Sequence, residues 1–520
     1  MQFRSKKKQK AIVENISKDH NVPLSTDLTE NSRIISNMLG ESVDFVSRSF
    51  MIGVQKPVKA QLFYIDGIVD SVIIHHDLLK GLMIESREAE QSNQIDRLEL
   101  LEKHLLAIGM VNHVETITDL FKHLLSGDSI LLIDGYAKGF SLDTRGGENR
   151  GIASVTTQEV VRGPKEAFSE RINLNIALIR RKIKDPNLWM KNYKIGNKTQ
   201  TDVTVAYLNG VANDDIVQEL DKRLKDIDID SILEGAYIEE LVQDGVYTPF
   251  PTVYNTERPD TIAAGILEGK IAIFVDGTPF VLLIPALFID FLQSSEDYYQ
   301  RADIATFIRV LRTISFFLAL LTPSLYIALT IFHQEMVPTT LLISLAAQRE
   351  GIPFPAFIEA VLMEFTFELL REAGIRLPST VGSAISIVGA LVLGQAAVDA
   401  GIVSAMMVII VSFTAISSFV FPSYNLAITV RMLRFGYMLL AATLGLYGIF
   451  TGLIIMVLHM VSLRSFGVPY LTPLGPFSLS GQKDVFVRAP FWLQRTRQPL
   501  QSQKNIVRNQ TDSPQPPKGR

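Results

Sequence analysis

Residues Pro378–Ser404 read PSTVGSAISIVGALVLGQAAVDAGIVS, a stretch rich in small residues and uncharged from Val381 to Val398. Gln395 is the polar amide near its end, and Asp399 closes the uncharged run. A helix needs about 20 mostly apolar residues to cross the hydrocarbon layer of a bilayer, and a soluble core helix rarely stays uncharged for that long. The stretch therefore predicts a membrane-spanning helix with further helices packed beside it.

The composition of the chain fits a membrane part joined to a soluble part. Of the 520 residues, 47% are hydrophobic and 20% are charged, and the apolar excess lies between Phe307 and Leu463. The net charge of −4 argues against nucleic-acid binding. The absence of cysteine excludes disulfides, Cys-ligated zinc, Fe–S clusters and Cys nucleophiles. No signal-peptide apolar run follows the basic start MQFRSKKKQK, so we expect a cytoplasmic N-terminal region.

The predicted fold is a two-lobed α/β (α+β) cytoplasmic domain followed by an all-α membrane domain with about four to five spans and an amphipathic helix. The predicted segments are a flexible basic tail, two α/β lobes, a transmembrane domain and a basic, partly disordered tail, at residues 1–30, 31–164, 165–295, 296–465 and 466–520. The boundary between the lobes is placed in the segment VVRGPKEAF, near residues 161–165.

Strands and helices alternate in the two lobes. Hydrophobic periodicity predicts strands at Val43–Ile52, Ala60–Ile65 and Thr201–Leu208, and helices at Ile95–Gly109, Phe168–Ile183 and Asp214–Lys225. Three apolar runs end in Asp-Gly, at Gly67, Gly135 and Gly277. Glycine adopts positive φ and Asp bonds its own backbone, so these pairs predict turns rather than an Asp-lined metal site.

Four spans are predicted in the apolar region: Thr313–Phe332, the Pro378–Ser404 stretch, Ile402–Phe421 and Phe435–Leu463. A tight turn at Asp399–Gly401 joins the second span to the third. Tyr424–Arg434 is predicted to be a loop. The 29-residue fourth span would measure about 43 Å as a straight helix, so we expect it to tilt or project beyond the lipid.

Two membrane topologies stay open. With four crossings, Arg431 and Arg434 lie outside and the basic C-terminal tail lies in the cytoplasm. A fifth crossing by the amphipathic segment Ile352–Ala373 would reverse both placements. Basic residues favour the cytoplasmic side, so the two basic segments make conflicting predictions.

The amphipathic segment carries an acidic stripe of Glu364, Glu368 and Glu372, spaced four residues apart. Such a stripe is either a solvated helix face or the lining of a water-filled path, because acids at membrane depth are costly and usually functional. We add Gln395 and Asp399 as candidate residues of the same ion path.

Two stripes of small residues indicate close helix packing. One lies in the fourth span, at Ala441, Gly445, Gly448 and Gly452; the other lies in the second span, at Ser383, Ser386 and Gly389, with Gly394 in a further small-xxx-small pair. Small faces let helix backbones approach each other in lipid. The packing could be within one chain or between subunits.

Motifs of catalysis and cofactor binding are missing from the sequence. It contains no P-loop, GxSxG, HExxH or CxxC, and no GxGxxG between a strand and a helix. We therefore expect a protein that is not an enzyme and that uses no cofactor and no metal.

Several long motifs carry a family resemblance. In the soluble part they are VVRGPKEAFSE (160–170), LIRRKIK (178–184), FPTVYNTERPD (250–260), LEGKIAIFVDGTPFVLLIP (267–285) and EDYYQR (296–301). In the apolar part they are HQEMVPTTLL (333–342), FELLREAGIRLP (367–378) and IVGALVLGQAAVDAGIVS (387–404). Over residues 30–475 the chain resembles the A subunit of GerA-type spore germinant receptors.

The resemblance implies a multi-pass protein of the spore inner membrane that triggers germination, with its large N-terminal domain in the cytoplasm. It implies a nutrient-sensing, transporter-like B subunit and a lipoprotein C subunit as partners. It also implies a homo-oligomer around a nutrient-gated ion path, in contact with membrane lipid and without nucleic acid. Two alternatives stay open: a membrane-anchored scaffold or signal-transducing subunit without a pore, and a secondary transporter, although no duplicated hydropathy pattern supports the latter.

Overall fold

The fold is described from a computed structural model, which covers residues 22–52, 57–80, 110–147, 154–377, 392–479, 481–497 and 505–514. The predicted helix Ile95–Gly109, and Ser383, Ser386 and Gly389 of the second span, lie outside the described residues. The chain forms two compact units. The α/β unit comprises Met1–Gln243, Asn255–Pro285 and Arg497–Arg508; the helical unit comprises Asp244–Tyr254, Ala286–Thr496 and Asn509–Arg520.

The α/β unit contains two five-stranded sheets. The strands of the first are β1 (Phe45–Ile52), β2 (Val58–Ile65), β3 (Val111–Val114), β4 (Ser129–Ile133) and β5 (Gly139–Leu142). Those of the second are β6 (Leu188–Ile195), β7 (Thr201–Leu208), β8 (Tyr254–Thr256), β9 (Ile271–Val275) and β10 (Val281–Ile284). The helices are α1 (Leu28–Met38), α2 (Ile117–Leu124), α3 (Ile172–Lys182), α4 (Asp214–Asp226), α5 (Gly235–Val242) and α6 (Pro259–Glu268).

Both sheets have the same topology. The strand orders are β1-β2-β4-β5-β3 and β6-β7-β9-β10-β8. When the strands of the second sheet are counted from β6, the two orders are the same. The side chain of Asn31 at α1 exchanges two hydrogen bonds with the backbone of Ser25, and Asn175 at α3 does the same with Ser169. The two lobes are therefore copies of one supersecondary unit, which the sequence analysis did not detect.

The predicted strands and turns of the lobes are confirmed. β7 has the predicted bounds, and β1 and β2 differ from prediction by two residues at their N-terminal ends. Gly67, Gly135 and Gly277 have φ values of 82°, 87° and 90°, which only glycine adopts without strain. α1 begins at Leu28, within the segment predicted as a flexible tail, because Asp27 caps it by accepting from the Thr29 N–H.

A buried ion pair joins the lobes. Arg180 of α3 is fully buried, and its Nε and Nη2 donate to the two carboxylate oxygens of Asp44 at 2.7 and 3.0 Å. Nη2 also donates to the Ser42 hydroxyl at 3.2 Å. Both charges are thus compensated by a two-bond geometry, which a buried pair needs in order to offset its desolvation.

The described part of the helical unit contains the α-helices α7 (Ala302–Ile331), α8 (Thr339–Arg349), α9 (Ala356–Arg376), α10 (Ala405–Phe419) and α11 (Tyr424–Ser462). Residues 392–399 are also helical, and the two-stranded ribbon β11 (Arg464–Ser465) and β12 (Val468–Pro469) follows α11. The predicted turn at Asp399–Gly401 is confirmed, with Gly401 at φ 65°. The unit also includes residues 286–295, which the sequence analysis assigns to the second lobe.

By length and composition two described helices could cross a membrane, namely α7 and α11, although α11 is interrupted at Gly445. α10 is apolar but shorter. The most apolar window of α11 is only 33% buried, and Tyr447, Phe450 and Leu458 are among its exposed side chains. A core helix of a soluble protein would bury most of that surface, so this exposure fits a membrane association. The count of four to five spans stays a prediction.

Two predictions about the end of the apolar region are wrong. Tyr424–Arg434 is not a loop but the first part of α11. Phe435–Leu463 is not one continuous span, because Gly445 has φ 62° and ψ −142° and breaks the helix. The chain reverses there: the Tyr437 hydroxyl lies 3.7 Å from Met456 Sδ. A straight helix would separate residues 19 positions apart by about 28 Å.

Candidate functional site: charged pairs buried in the helical unit

Glu364 and Arg434 form an ion pair inside the helical unit. The Glu364 side chain is fully buried, and Arg434 Nη1 donates to its Oε2 at 2.5 Å. Arg434 is itself 1% exposed. The pair links α9 to α11, and each charge has the other as its compensating partner.

Arg434 also donates a hydrogen bond to a backbone carbonyl of α7 that has no donor within the helix. Pro323 has no N–H, so the Ala319 carbonyl four residues earlier has no helical donor. Arg434 Nε donates to that carbonyl oxygen at 2.8 Å. Pro323 therefore lies within α7 without ending it, and three helices meet at one guanidinium.

The other glutamates of the acidic stripe are also paired with arginines. Arg431 Nη1 lies 2.6 Å from Glu368 Oε2, with the two side chains 12% and 25% exposed. Glu372 pairs with Arg376 of the same helix at 2.6 Å, and both of these are exposed. The stripe therefore runs from the interior of the unit to its surface, and each glutamate has its own arginine.

Glu359 is a buried acid of α9 that the sequence analysis did not include in the site. It is fully buried, and its Oε2 accepts from the Ser404 N–H at 2.9 Å. Arg349 Nε lies 3.5 Å from its other oxygen. Its position five residues before Glu364 on an otherwise apolar part of α9 was the available signal.

Three carboxylate oxygens of this region have no hydrogen-bond partner among the described residues: Oε1 of Glu359, of Glu364 and of Glu368. The hydroxyl of Ser324 is buried and likewise has no hydrogen-bond partner among the described residues. Buried polar groups are normally satisfied, and water or a cation can supply what the protein does not. The helical unit thus holds polar atoms that can take water or cations.

A small polar cavity of about 280 Å³ lies between α9 and α11. Its lining includes Glu368, Arg371, Glu372, Tyr424 and Arg431. Acidic and basic groups are thus both present, so the cavity can hold water or small ions.

Gln395 and Asp399 are not joined to the acidic stripe. Gln395 Nε2 donates to Asp399 Oδ1 at 2.9 Å, and both side chains are exposed. Gly394, one residue earlier, is buried, and a Cβ there would lie 3.5 Å from Val408 of α10. The structure therefore separates these candidates into an exposed polar pair and a packed glycine.

Gly445, Gly448 and Gly452 of α11 lie where its two halves meet. A Cβ on Gly448 would lie 2.3 Å from the Leu440 carbonyl oxygen, and one on Gly452 would lie 2.8 Å from Tyr437 Cε1. A Cβ on Gly445 would lie 2.7 Å from His333 Cε1. These glycines make close contacts within the chain, and whether they also contact another subunit stays a prediction.

The described residues contain no group of three or more His, Asp or Glu side chains arranged to hold a metal ion.

Comparison with known proteins gives consistent matches along the chain. A family model described as "Bacillus/Clostridium GerA spore germination protein" matches residues 33–500. Spore germination protein KA of Bacillus subtilis is 47% identical over 500 residues, which are 96% of this chain and 91% of that protein. Spore germination protein GerLA of Bacillus cereus is 39% identical over 486 residues, which are 93% and 98% of the two chains.

Among solved structures, the N-terminal domain of the A subunit of the Bacillus megaterium spore germinant receptor GerK3 is 45% identical to this chain. The match covers 52% of this chain and 98% of that domain, with a TM-score of 0.42.

Proposed function

This chain belongs to the GerA family of spore germination proteins and has a role in spore germination, and we propose that it is the receptor subunit that forms the ion path. It acts in the spore inner membrane with its α/β unit in the cytoplasm. Its partners are further copies of itself, a nutrient-sensing B-type subunit and a C-type lipoprotein. It has no enzymatic activity and uses no cofactor.

One observation carries the ion-path proposal: acids lie inside an apolar helical unit and keep unsatisfied oxygens. Glu359, Glu364 and Glu368 each have a carboxylate oxygen without a hydrogen-bond partner among the described residues. Carboxylates in such surroundings are costly and are usually retained for function. Their spare oxygens suit cations, and the adjacent arginines hold the acids in place.

The decisive residue for a test is Glu368, because it is only partly buried and lines the polar cavity. We expect Glu368→Gln spores to release cations more slowly after nutrient addition, with a normal amount of receptor by immunoblot. Glu350→Gln is the control, because Glu350 is an exposed acid of the same unit that does not line the cavity. Release at the wild-type rate in Glu368→Gln would contradict a role of this residue in the ion path.

The alternative of a signal-transducing scaffold without a pore has its own support, since every glutamate of the stripe is paired with an arginine. Acids that are paired with arginines can hold helices together without carrying ions. Ion flux through the reconstituted receptor distinguishes the two. Flux that depends on nutrient and on Glu368 supports the ion path, and its absence in a complex that still binds its partners supports the scaffold.

A further inference from the structure

The chain segment after the last helix packs against the start of α7. The Arg488 N–H donates to the Thr306 hydroxyl at 3.1 Å, and Arg309 Nη1 donates to Asp484 Oδ1 at 2.8 Å. A groove of about 910 Å³ lies at this contact, lined by residues 301–303 and 306 of one segment and 488 and 490–492 of the other.

The groove lies where the lipid-facing surface of α7 would begin. Ile304 and Phe307, in the first two turns of the helix, are 46% and 68% exposed. Phe491 lines the groove and is itself 49% exposed, next to Trp492. Aromatic side chains beside arginines at the end of a span are typical of the headgroup level of a bilayer.

Charges around the groove do not balance. Arg309 and Arg312 share the buried carboxylate of Asp297, and Arg309 also pairs with Asp484. Arg488 is a third buried guanidinium, so this cluster has one positive charge more than it has carboxylates. Arg301 does not change the balance, because it pairs with Asp303.

Arg488 is the arginine of this cluster that forms no ion pair with a carboxylate among the described residues. It is 4% exposed, and its Nε and Nη2 have no hydrogen-bond partner among the described residues. Its guanidinium stacks on Phe491 at 4.4 Å, which fixes its direction but supplies no negative charge. A buried charge without a compensating partner is strongly unfavourable. An anion that enters the groove removes this cost.

We propose that this groove binds the phosphate headgroup of an anionic phospholipid, with Arg488 as its cation and the aromatic side chains beside the lipid glycerol region. A lipid is favoured over free phosphate because the groove adjoins exposed apolar surface on both segments, which a soluble ion leaves uncovered. The proposal rests on the proposed membrane location of α7. It adds a lipid site at the junction of the first span with the C-terminal segment.

The test measures binding of short-chain phosphatidylglycerol and phosphatidylcholine to the full-length chain in detergent. We expect the wild type to prefer phosphatidylglycerol. Arg488→Met keeps an unbranched side chain on Phe491 but removes the charge, so it should bind phosphatidylglycerol about tenfold more weakly, which corresponds to one lost charge-assisted hydrogen bond. Arg495→Met is the control, since Arg495 lies on the same segment, is exposed and pairs with Asp512.

Equal phosphatidylglycerol binding by the wild type and Arg488→Met would overturn the proposal, as would the lack of a preference in the wild type. Inorganic phosphate that competes as well as the lipid would identify a soluble anion and overturn the lipid assignment. Arg301→Gln, at an exposed residue on the rim, gives a second variant with a smaller expected loss if Arg488→Met does not fold. Flotation of the wild type with phosphatidylcholine vesicles tests the membrane location separately.

Discussion

Tyr437 and Met456 belong to one helical run, yet their side chains touch: the Tyr437 hydroxyl lies 3.7 Å from Met456 Sδ. The contact exists because Gly445 reverses the chain. Two further contacts agree, since Thr429 hydrogen-bonds to the Pro249 carbonyl and His459 lies 2.9 Å from the Thr248 hydroxyl. The C-terminal part of the apolar region is therefore a helical hairpin closed by glycines.

The hairpin predicts a cross-link. Cysteines introduced as Tyr437→Cys and Met456→Cys should react with one short bis-maleimide reagent within a single chain, since the native chain has no cysteine. A straight helix would hold them about 28 Å apart, beyond such a reagent. Mass spectrometry of the digested protein detects the link. Tyr437→Cys with Leu458→Cys, an exposed position of the second half, is the control; a link there but not at Met456 would contradict the observed register.

Gly445→Ala should destabilise the protein. Its φ of 62° with ψ of −142° is a conformation that costs an L-residue of order 1–3 kcal/mol, and the new Cβ would also collide with His333. We expect a lower unfolding midpoint in detergent. Gly436→Ala is the control: a Cβ there meets nothing within 4 Å, and alanine should raise helix stability by about 0.5–1 kcal/mol. Equal midpoints for the two variants would show that the reversal does not require glycine.

Glu364→Gln should lower stability by about 3–5 kcal/mol, because it leaves Arg434 charged, buried and without its anion. Glu372→Gln should change it by less than about 1 kcal/mol, because that pair is exposed. Thermal unfolding of the purified variants measures both. Adding Arg434→Met to Glu364→Gln should recover part of the loss. If the double variant lost more stability than the two single variants together, Glu364 and Arg434 would not act as a pair.

Arg180→Ala should weaken the contact between the lobes. We expect the free energy of unfolding to fall by about 3–5 kcal/mol, since the variant leaves Asp44 buried and unpaired. Lys194→Ala removes an exposed cation 3.8 Å from Asp202 and should cost less than about 1 kcal/mol. Denaturant unfolding of the full chain compares them. A double-mutant cycle with Asp44→Ala isolates the coupling, and a coupling near zero would contradict the role of this pair.

Glu239 of α5 should make stability depend on pH. Burial, with a smaller contribution from Glu234, raises its pKa from 4.5 to about 7, although Asn255 donates to it at 3.5 Å. Between these values the folded state holds a proton that the unfolded state has lost, so the unfolding free energy falls as the pH rises from about 4.5 to about 7. In Glu239→Gln this part of the slope should disappear, and melting curves from pH 5 to pH 8 measure it. Parallel curves for Glu239→Gln, the wild type and the exposed-site control Glu240→Gln would contradict it.

The sequence predicted much of the α/β unit because its signals are local. Strand β7 had its predicted bounds, and the Asp-Gly pairs formed turns because only glycine accepts positive φ cheaply. The duplication of the lobes was missed. Its sequence trace is the equal spacing of Ser25 to Asn31 and of Ser169 to Asn175, which is too short a pattern to recognise without the contacts.

The sequence by itself determined that this chain joins an α/β part to an apolar helical part and belongs to its family, because composition, periodicity and long motifs are properties of the linear chain. Only the tertiary structure decided which arginine neutralises Glu364 and where α11 reverses. Both depend on groups brought together from distant positions: Arg434 compensates a buried charge on another helix, and Gly445 turns where His333 leaves no room for a side chain.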